Sequence, residues 1–566
     1  MVPEHRTHPG APRQGGRGAA PRPGQSPVTA GGPDAPEGTF ADGIARAAAF
    51  ARAAGGGGAG AAGAGAEGPT TGPELAALLD ARLAGWGEAP LVVDGTGTWS
   101  ARQVRERIDA KAAAIRAAGL EPGAVVGLLA GPPAEFVSDL FAVLAVGGVV
   151  APLAVGVTDW ELGRIGSLAP LAGVVVGRDS ALTLGPVRGV VGDRELRAPV
   201  AGPGGVPTTG PLPPEVASAQ VTSGTTGRPR MALRSAAALF VEAENYRTAL
   251  GLRPEVTLGC PVPLHHAYGF GLCALAAPLA GAPVRYLPAD RPRVLLRELG
   301  SGAVRLFVGV PPALRMLAKA AREPLGGEPV GFLSAGMPLD AHTAESVAGT
   351  LNGHIGQVYG TTETGPICVR APRPWSAETR WPGEPLPGVK VTLREVQAEG
   401  AQFGFGTGLV TVESPSMMLG YADGGGAGGG DTEPGSGAGS GTAPWEPVRG
   451  GFATGDLGRW EEGGLVLAGR LSTCVNVAGV KVSPEEVEAV LLAFPAVAAC
   501  LVTGVDDPVL GQRVRATVTP ETVDLGALER FCRERLSATH LPHHFTAVNS
   551  LPTTETGKVI RNPSGQ

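Results

Sequence analysis

Residues 221–230 read VTSGTTGRPR, a run of small and hydroxylated residues that ends in Arg-Pro-Arg. Glycine lets a backbone come close to a ligand, and the hydroxyls of Thr222, Ser223, Thr225 and Thr226 can donate beside exposed N–H groups. Together they describe an oxyanion cradle, with phosphate as the fitting anion. The common nucleotide P-loop is excluded. It needs four residues between its glycines and then Lys-Ser or Lys-Thr, whereas only Thr225 and Thr226 separate Gly224 from Gly227. Plain loops share this composition, so the rest of the chain has to decide.

Outward from this loop, apolar strand-like runs alternate with helical stretches. AVVGLLA (124–130), AGVVVG (172–177) and RLFVGV (305–310) read as strands, as does PLVVDG (90–95). PELAALLDARL (73–83) and PALRMLAKAAR (312–322) have helical spacing. The alternation predicts an α/β fold. Leu140–Val157 is long enough to test as a membrane span, but Gly147, Gly148 and Pro152 break it. It is read as a buried helix ending near the two glycines, followed by a short core strand.

With 566 residues and 43% hydrophobic content, the chain is long enough for two or more domains. Residues 1–68 are read as a disordered Gly/Pro/Ala-rich tail. A large N-terminal domain of several subdomains is expected over 69–469, with a flexible Gly-rich insertion at 422–444. A small α+β C-terminal domain is expected over 470–566. In it, Ser483, Pro484 and Glu486 are read as the cap, first-turn proline and capping-box acid of a helix.

A formal net charge of −6 gives no electrostatic case for nucleic acid or an anionic membrane. The six cysteines are scattered, which argues against a zinc site or disulfide framework and fits a reducing cytoplasm. The first residues, MVPEHRTHPG, carry no secretory-signal pattern. His540, His543 and His544 are read as a structural turn rather than a metal cluster.

Four further stretches fall in order along the chain: PLHHAYGF (263–270), VYGTTETG (358–365), FATGDLGRW (452–460) with GRLSTCVNVAGVKVSPEEVE (469–488), and LPTTETGK (551–558). With the loop at 221–230, they resemble the adenylate-forming superfamily of acyl-CoA synthetases, luciferases and peptide-synthetase adenylation domains. The resemblance spans roughly residues 75–561. It implies a small mobile C-terminal domain acting as a lid, and an ATP- and Mg²⁺-dependent conversion of a carboxylic acid to an acyl-adenylate. A thiol of CoA or of a phosphopantetheine arm then displaces AMP. Both substrates are anions, so the site must neutralise charge and position the reactants.

By this resemblance, Thr222–Arg230, with Ser223, Gly224, Thr225, Thr226 and Gly227, covers the β- and γ-phosphates. Tyr359 stacks on adenine, Thr362 bonds the α-phosphate beside Gly360 and Thr361, and Glu363 holds Mg²⁺. Asp456 and Arg470 take the ribose hydroxyls, and Gly336 lines the adenine and acyl pocket. His266 sits beside the acyl carboxylate, with His265 structural. Gly479 and Lys481 border the pantetheine tunnel. Lys558 bridges the carboxylate and the α-phosphate. Only five of the 46 basic residues are lysines, so Lys558 runs against a heavy arginine bias.

Two positions depart from the resembled pattern. Arg230 replaces the usual lysine and is read as a change that keeps the charge. Thr473 stands where Asp or Lys is usual at a hinge, and its β-branch predicts a stiffer turn and a slow thioester step. Ala267, Tyr268, Phe270, Gly271, Met337 and Val358 are apolar or small, with no Asp to meet an ammonium. An apolar or aryl acid is therefore expected rather than an amino acid. The readings are an acid:CoA ligase, an adenylating enzyme serving a carrier protein or partner enzyme, and a non-catalytic acyl- or nucleotide-binding protein.

Overall fold

The computed structural model describes residues 68–559, apart from 200–211, 223–229, 377–380, 396–405, 423–450, 463, 474, 478–479, 508–510, 537–539 and 554–558. The first ordered helix, Gly72–Trp86, starts where its cap dictates. Thr71 Oγ1 accepts from Glu74 N at 3.4 Å, and Glu74 Oε2 accepts from Thr71 N at 3.3 Å.

Two eight-stranded sheets build the larger part of the molecule. In the first, Gly353–Thr361, Val330–Ala335, Leu306–Gly309, Leu258–Cys260, Val284–Tyr286 and Pro90–Asp94 run parallel, and Gly365–Arg373 and Gly97–Ser100 close the edges antiparallel. In the second, Val125–Leu129 lies between Val149–Leu153 and Leu171–Gly177, all parallel and read as apolar runs because both faces are covered. The strand Val216–Thr222 continues this sheet and turns back antiparallel as Arg230–Ser235. Thus the stretch at 221–230 connects two paired strands.

Helices Gly72–Trp86, Ala101–Ala117, Pro133–Ala145 and Ala236–Leu250 fill the space between the sheets, in one core with Val92 and Leu258 of the first sheet and Val126 and Leu128 of the second. Pro133–Ala145 is buried along Ala134–Leu144, then Gly147 at φ +77 turns the chain into the strand Val149–Leu153. The helix-then-strand reading of Leu140–Val157 therefore holds. Among the described residues no helix is long and apolar enough to cross a membrane.

A third, four-stranded antiparallel sheet (Lys390–Arg394, Gly408–Glu413, Phe452–Glu461, Gly464–Arg470) packs its own core around Tyr359, Ile367 and Cys368. Beyond it, a small α+β unit wraps Pro484–Leu492 and Leu525–Arg533 over a sheet centred on Gly511–Thr519. One sequence expectation fails here. Ser483 does precede Pro484 at the helix start, but its hydroxyl donates to Glu485 at 3.0 Å and makes no cap bond. Glu486, instead of closing a capping box, lies 3.6 Å from His540. The adjacent acid was closer to the hydroxyl than the N3 backbone.

Candidate active site

Four parallel strands of the first sheet end side by side: Leu258–Cys260, Leu306–Gly309, Val330–Ala335 and Gly353–Thr361. In open α/β sheets, ligands bind off such carboxyl ends. His265 and His266 follow the first, Gly336 follows the third, and Tyr359–Glu363 leave the fourth. Residues separated by almost a hundred positions are thus brought to one edge.

Gly336 adopts φ +79, and a Cβ added there would meet no atom within 4 Å. The positive φ favours glycine, and the open space is room for a ligand. His265 and His266 pack against each other with ring centroids 4.3 Å apart and planes tilted by 40°. Burial, aided by His266, pushes the His265 imidazole down to about 4, so it is neutral at pH 7. Behind them runs an eight-residue π-helix, Gly269–Ala276, held at its start by Tyr268, whose hydroxyl donates to the Leu333 carbonyl at 2.9 Å. A Cβ on Gly269 would sit 2.3 Å from the Pro263 carbonyl oxygen, which explains the glycine.

The turn at 361–365 is built from its own hydroxyls. Thr361 Oγ1 accepts from Thr364 N at 3.2 Å, so this threonine holds the turn. Ser416 donates to the Thr364 carbonyl at 2.9 Å, and Arg234 donates to the Ser416 carbonyl at 2.7 Å. Gly360 is exposed, and Thr362 and Glu363 are half-buried beside it. Tyr421 donates its hydroxyl to Glu363 Oε1 at 2.9 Å, and its ring lies 3.4 Å beneath the Arg230 guanidinium.

Tyr359 points from its strand into the third sheet, where its hydroxyl donates to Asp456 Oδ2 at 2.8 Å and lies 3.2 Å from Thr454 Oγ1. Asp456 and Arg470 are cross-strand partners, and Arg470 Nε donates to Asp456 Oδ1 at 2.7 Å. Asp456 beside it holds the Arg470 guanidinium above its ordinary range. A carboxylate offers about four acceptor positions. Here two are engaged and capacity remains for a diol. The strand Val216–Thr222 adds a second polar surface: the buried Gln220 amide and the Thr222 hydroxyl take no hydrogen bond among the described residues. Buried orphans of this kind mark water or ligand sites.

These groups fit a metal–nucleotide complex. No cluster of three or more His, Cys, Asp or Glu that could hold a metal occurs among the described residues. Mg²⁺ is commonly held by one or two carboxylates together with substrate phosphates, and Glu363 supplies a carboxylate of that kind.

Of the expected site residues, His266, Gly336, Tyr359, Gly360, Thr361, Thr362, Glu363, Asp456 and Arg470 converge, with Thr222 and Arg230 at the ends of the strands flanking the loop. Ser223, Gly224, Thr225, Thr226, Gly227, Gly479 and Lys558 lie outside the described residues. Lys481 sits in the short strand Val480–Val482, opposite Asn476. Thr473 ends a 3₁₀ turn, Leu471–Thr473, and donates to the Arg470 carbonyl at 3.1 Å.

Sequence reading missed two groups. Tyr421 is one. The other is Glu242, fully buried on Ala236–Leu250, paired with Arg234 at 2.6 Å and packed against Gly271. Burial pushes its carboxyl up while Arg234 opposes. The apolar lining expected around Gly271, with no Asp to meet an ammonium, thus has one glutamate behind it, already matched by an arginine. The cue available was Gly271 itself, since a Cβ there would lie 1.8 Å from Glu242 Oε1.

Comparison with known proteins gives the same picture. The 2-succinylbenzoate–CoA ligase of Geobacillus kaustophilus is 28% identical over 505 residues, covering 83% of this chain and 93% of that protein. A feruloyl-CoA synthase of Amycolatopsis is 27% identical, covering 81% and 92%. The o-succinylbenzoate CoA synthetase of Bacillus subtilis, solved with its acyl-adenylate intermediate, shares the fold with a TM-score of 0.68 at 20% identity, over 86% of this chain and 97% of that one. The profile of the AMP-binding enzyme C-terminal domain matches residues 486–558, and that of the AMP-binding enzyme matches 79–422, more than half of the chain. The chain therefore belongs to the AMP-binding enzyme family.

Proposed function

We propose that this protein is an AMP-forming acid:CoA ligase for an apolar or aromatic carboxylic acid. A carboxylate oxygen attacks the α-phosphorus of ATP, the bond to pyrophosphate breaks, and an acyl-adenylate forms. The thiol of CoA then adds to the acyl carbonyl, and AMP leaves. The observation that carries the reading is the convergence of Tyr359 and Arg470 on the buried carboxylate of Asp456, at the sheet edge that also carries Glu363 and Gly336. It is supported by relatives named as ligases of 2-succinylbenzoate and synthases of feruloyl-CoA.

The residues then have separable tasks. Asp456 accepts from the ribose hydroxyls, and Arg470 holds it in orientation. Tyr359 stacks its ring on the base while its hydroxyl is tied down. Thr362 and the backbone at Gly360 face the α-phosphate. Neutral His265 backs His266 against the acyl carboxylate. When bound at Glu363, Mg²⁺ would offset phosphate charge. Arg230 and Lys558 supply the remaining positive charge. Free, buried thiols at five of the cysteines fit a reducing, cytoplasmic compartment.

The test is a panel of aryl, fatty and amino acids with Mg-ATP and CoA, with pyrophosphate and acyl-CoA followed separately. Release of both with an aryl or fatty acid is expected. No acid-dependent pyrophosphate with any acid, while nucleotide still binds, would instead mean a binding protein.

Thr473 favours a second reading. Its hydroxyl closes the 3₁₀ turn onto the Arg470 carbonyl, which stiffens the segment where rotation between half-reactions is expected. Pyrophosphate without acyl-CoA would identify an adenylating enzyme that passes its acyl group to a carrier protein or partner enzyme. Thr473→Asp would then raise acyl-CoA formation without changing pyrophosphate release.

A further inference from the structure

Tyr421 lies 58 residues from Glu363 in sequence. The chain brings it back as the edge strand Gly420–Tyr421, paired antiparallel with Arg230–Ser235, so that Tyr421 stands opposite Ala232. Three backbone bonds hold this segment: Leu419 N to the Leu233 carbonyl at 2.8 Å, Ala422 N to the Met231 carbonyl at 2.9 Å, and Met418 N to the Glu363 carbonyl at 2.6 Å. The ring is buried at 5% exposure in a small cluster with Ala232, Met418 and Phe452. One rigid side chain thus touches two groups of different origin. Its hydroxyl reaches Glu363, and its face carries Arg230, where the chain leaves the loop at 223–229.

We propose that Tyr421 is a positioning residue for the metal–nucleotide complex, orienting Glu363 through its hydroxyl and Arg230 through its ring. This rests on the reading above in which Glu363 faces Mg²⁺ and Arg230 faces phosphate. Mg²⁺ demands near-ideal octahedral geometry, so a carboxylate free to rotate would lose affinity in ordering. With Oε1 engaged by the phenol, Oε2 is the oxygen presented to the cation. The same contact gives a reason for arginine at 230 beyond keeping the charge. A planar guanidinium stacks flat on an aromatic face, whereas an ammonium is a point charge.

The test uses the full chain and the variants Tyr421→Phe, Tyr421→Leu, Arg230→Lys and Glu363→Gln. Mn²⁺ binding is measured by electron paramagnetic resonance in the presence of α,β-methylene-ATP, which cannot react. The Mg²⁺ requirement and the KM for ATP in acid-dependent pyrophosphate release are measured alongside. Tyr421→Phe keeps the ring and is expected to weaken Mn²⁺ about fivefold, as for one hydrogen bond to a carboxylate exchanged for water. At saturating Mg²⁺ its kcat is recovered, which a general structural defect would not allow. Tyr421→Leu adds a rise in KM for ATP, and Arg230→Lys reproduces that rise alone. Unchanged Mn²⁺ affinity in Tyr421→Phe while Glu363→Gln weakens it would overturn the proposal and leave the metal assignment intact. Unchanged affinity in Glu363→Gln itself would overturn the metal assignment and the proposal with it. If Tyr421→Leu does not fold, the nearly isosteric phenylalanine variant and Arg230→Lys still decide the question.

Discussion

Two charged networks in this molecule use the same residue types to opposite ends. Between the large sheets, Asp139 is fully buried and meets Lys111 and Arg194, while Glu135 meets Lys111 and Arg107. Arg194 also donates to the Leu129 and Val175 carbonyls. At the candidate site, Asp456 meets Tyr359 and Arg470, but Arg470 remains partly exposed at 38% and the carboxylate keeps acceptor capacity. A network closed on itself serves structure, because each buried charge is matched by protein partners and removing one strands the other. A network left incomplete at a sheet edge serves ligand binding. Burial of charge alone does not tell the two apart; the remaining hydrogen-bonding capacity does.

The largest effect that would test this contrast is expected at Asp139. Asp139→Asn should lower the unfolding free energy by about 3–5 kcal/mol, since it strands buried cations. Denaturant titration reads this directly, while the folded fraction should keep its KM for ATP. A loss of nucleotide affinity at unchanged stability would erase the distinction. Asp456→Asn should do the reverse. Stability should change by about 1 kcal/mol or less, and the KM for ATP should rise about tenfold as charge-assisted bonds to the ribose weaken. Isothermal titration with an ATP analogue checks it.

A smaller effect follows from His265. Its folded pKa of about 4 lies below the ordinary 6.5, so the unfolded chain binds the proton first as pH falls. Its contribution to stability is complete above pH 6.5, is lost progressively between 6.5 and 4, and changes no further below that. His265→Asn should flatten the pH dependence of the melting temperature within that window, and an unchanged slope would assign it to other groups. The smallest effect is expected for Glu88→Gln, which removes an exposed partner of Arg102. Such pairs are screened by water and salt, so the melting temperature should not move measurably.

Local signals were legible where the partner is near in sequence. Thr71 and Glu74 cap a helix three residues apart, and Gly147 turns a helix into a strand at the place its φ requires. The same logic failed at Ser483, whose hydroxyl bonds Glu485 instead of accepting from the helix backbone. The motif order placed Tyr359, Glu363, Asp456 and Arg470 in one site, although nothing in that order disclosed that Tyr359 would bond Asp456 across 97 residues. Glu242, Arg234 and Tyr421 carried no local signal, because an acid in a largely apolar helix and a tyrosine beside a Gly-rich run have many uses.

By itself, then, the amino-acid order determined the alternation of strands and helices, the family, and the chemical type of the residues at the candidate site. Periodicity and capping act over a few residues and are written locally. Only the tertiary structure decided which charges close on one another and which stay available. Arg194 finds Asp139 across 55 residues, and Tyr421 finds Glu363 across 58. Those pairings depend on which strands become neighbours, and strand order is set by burial of the whole core rather than by any segment of it.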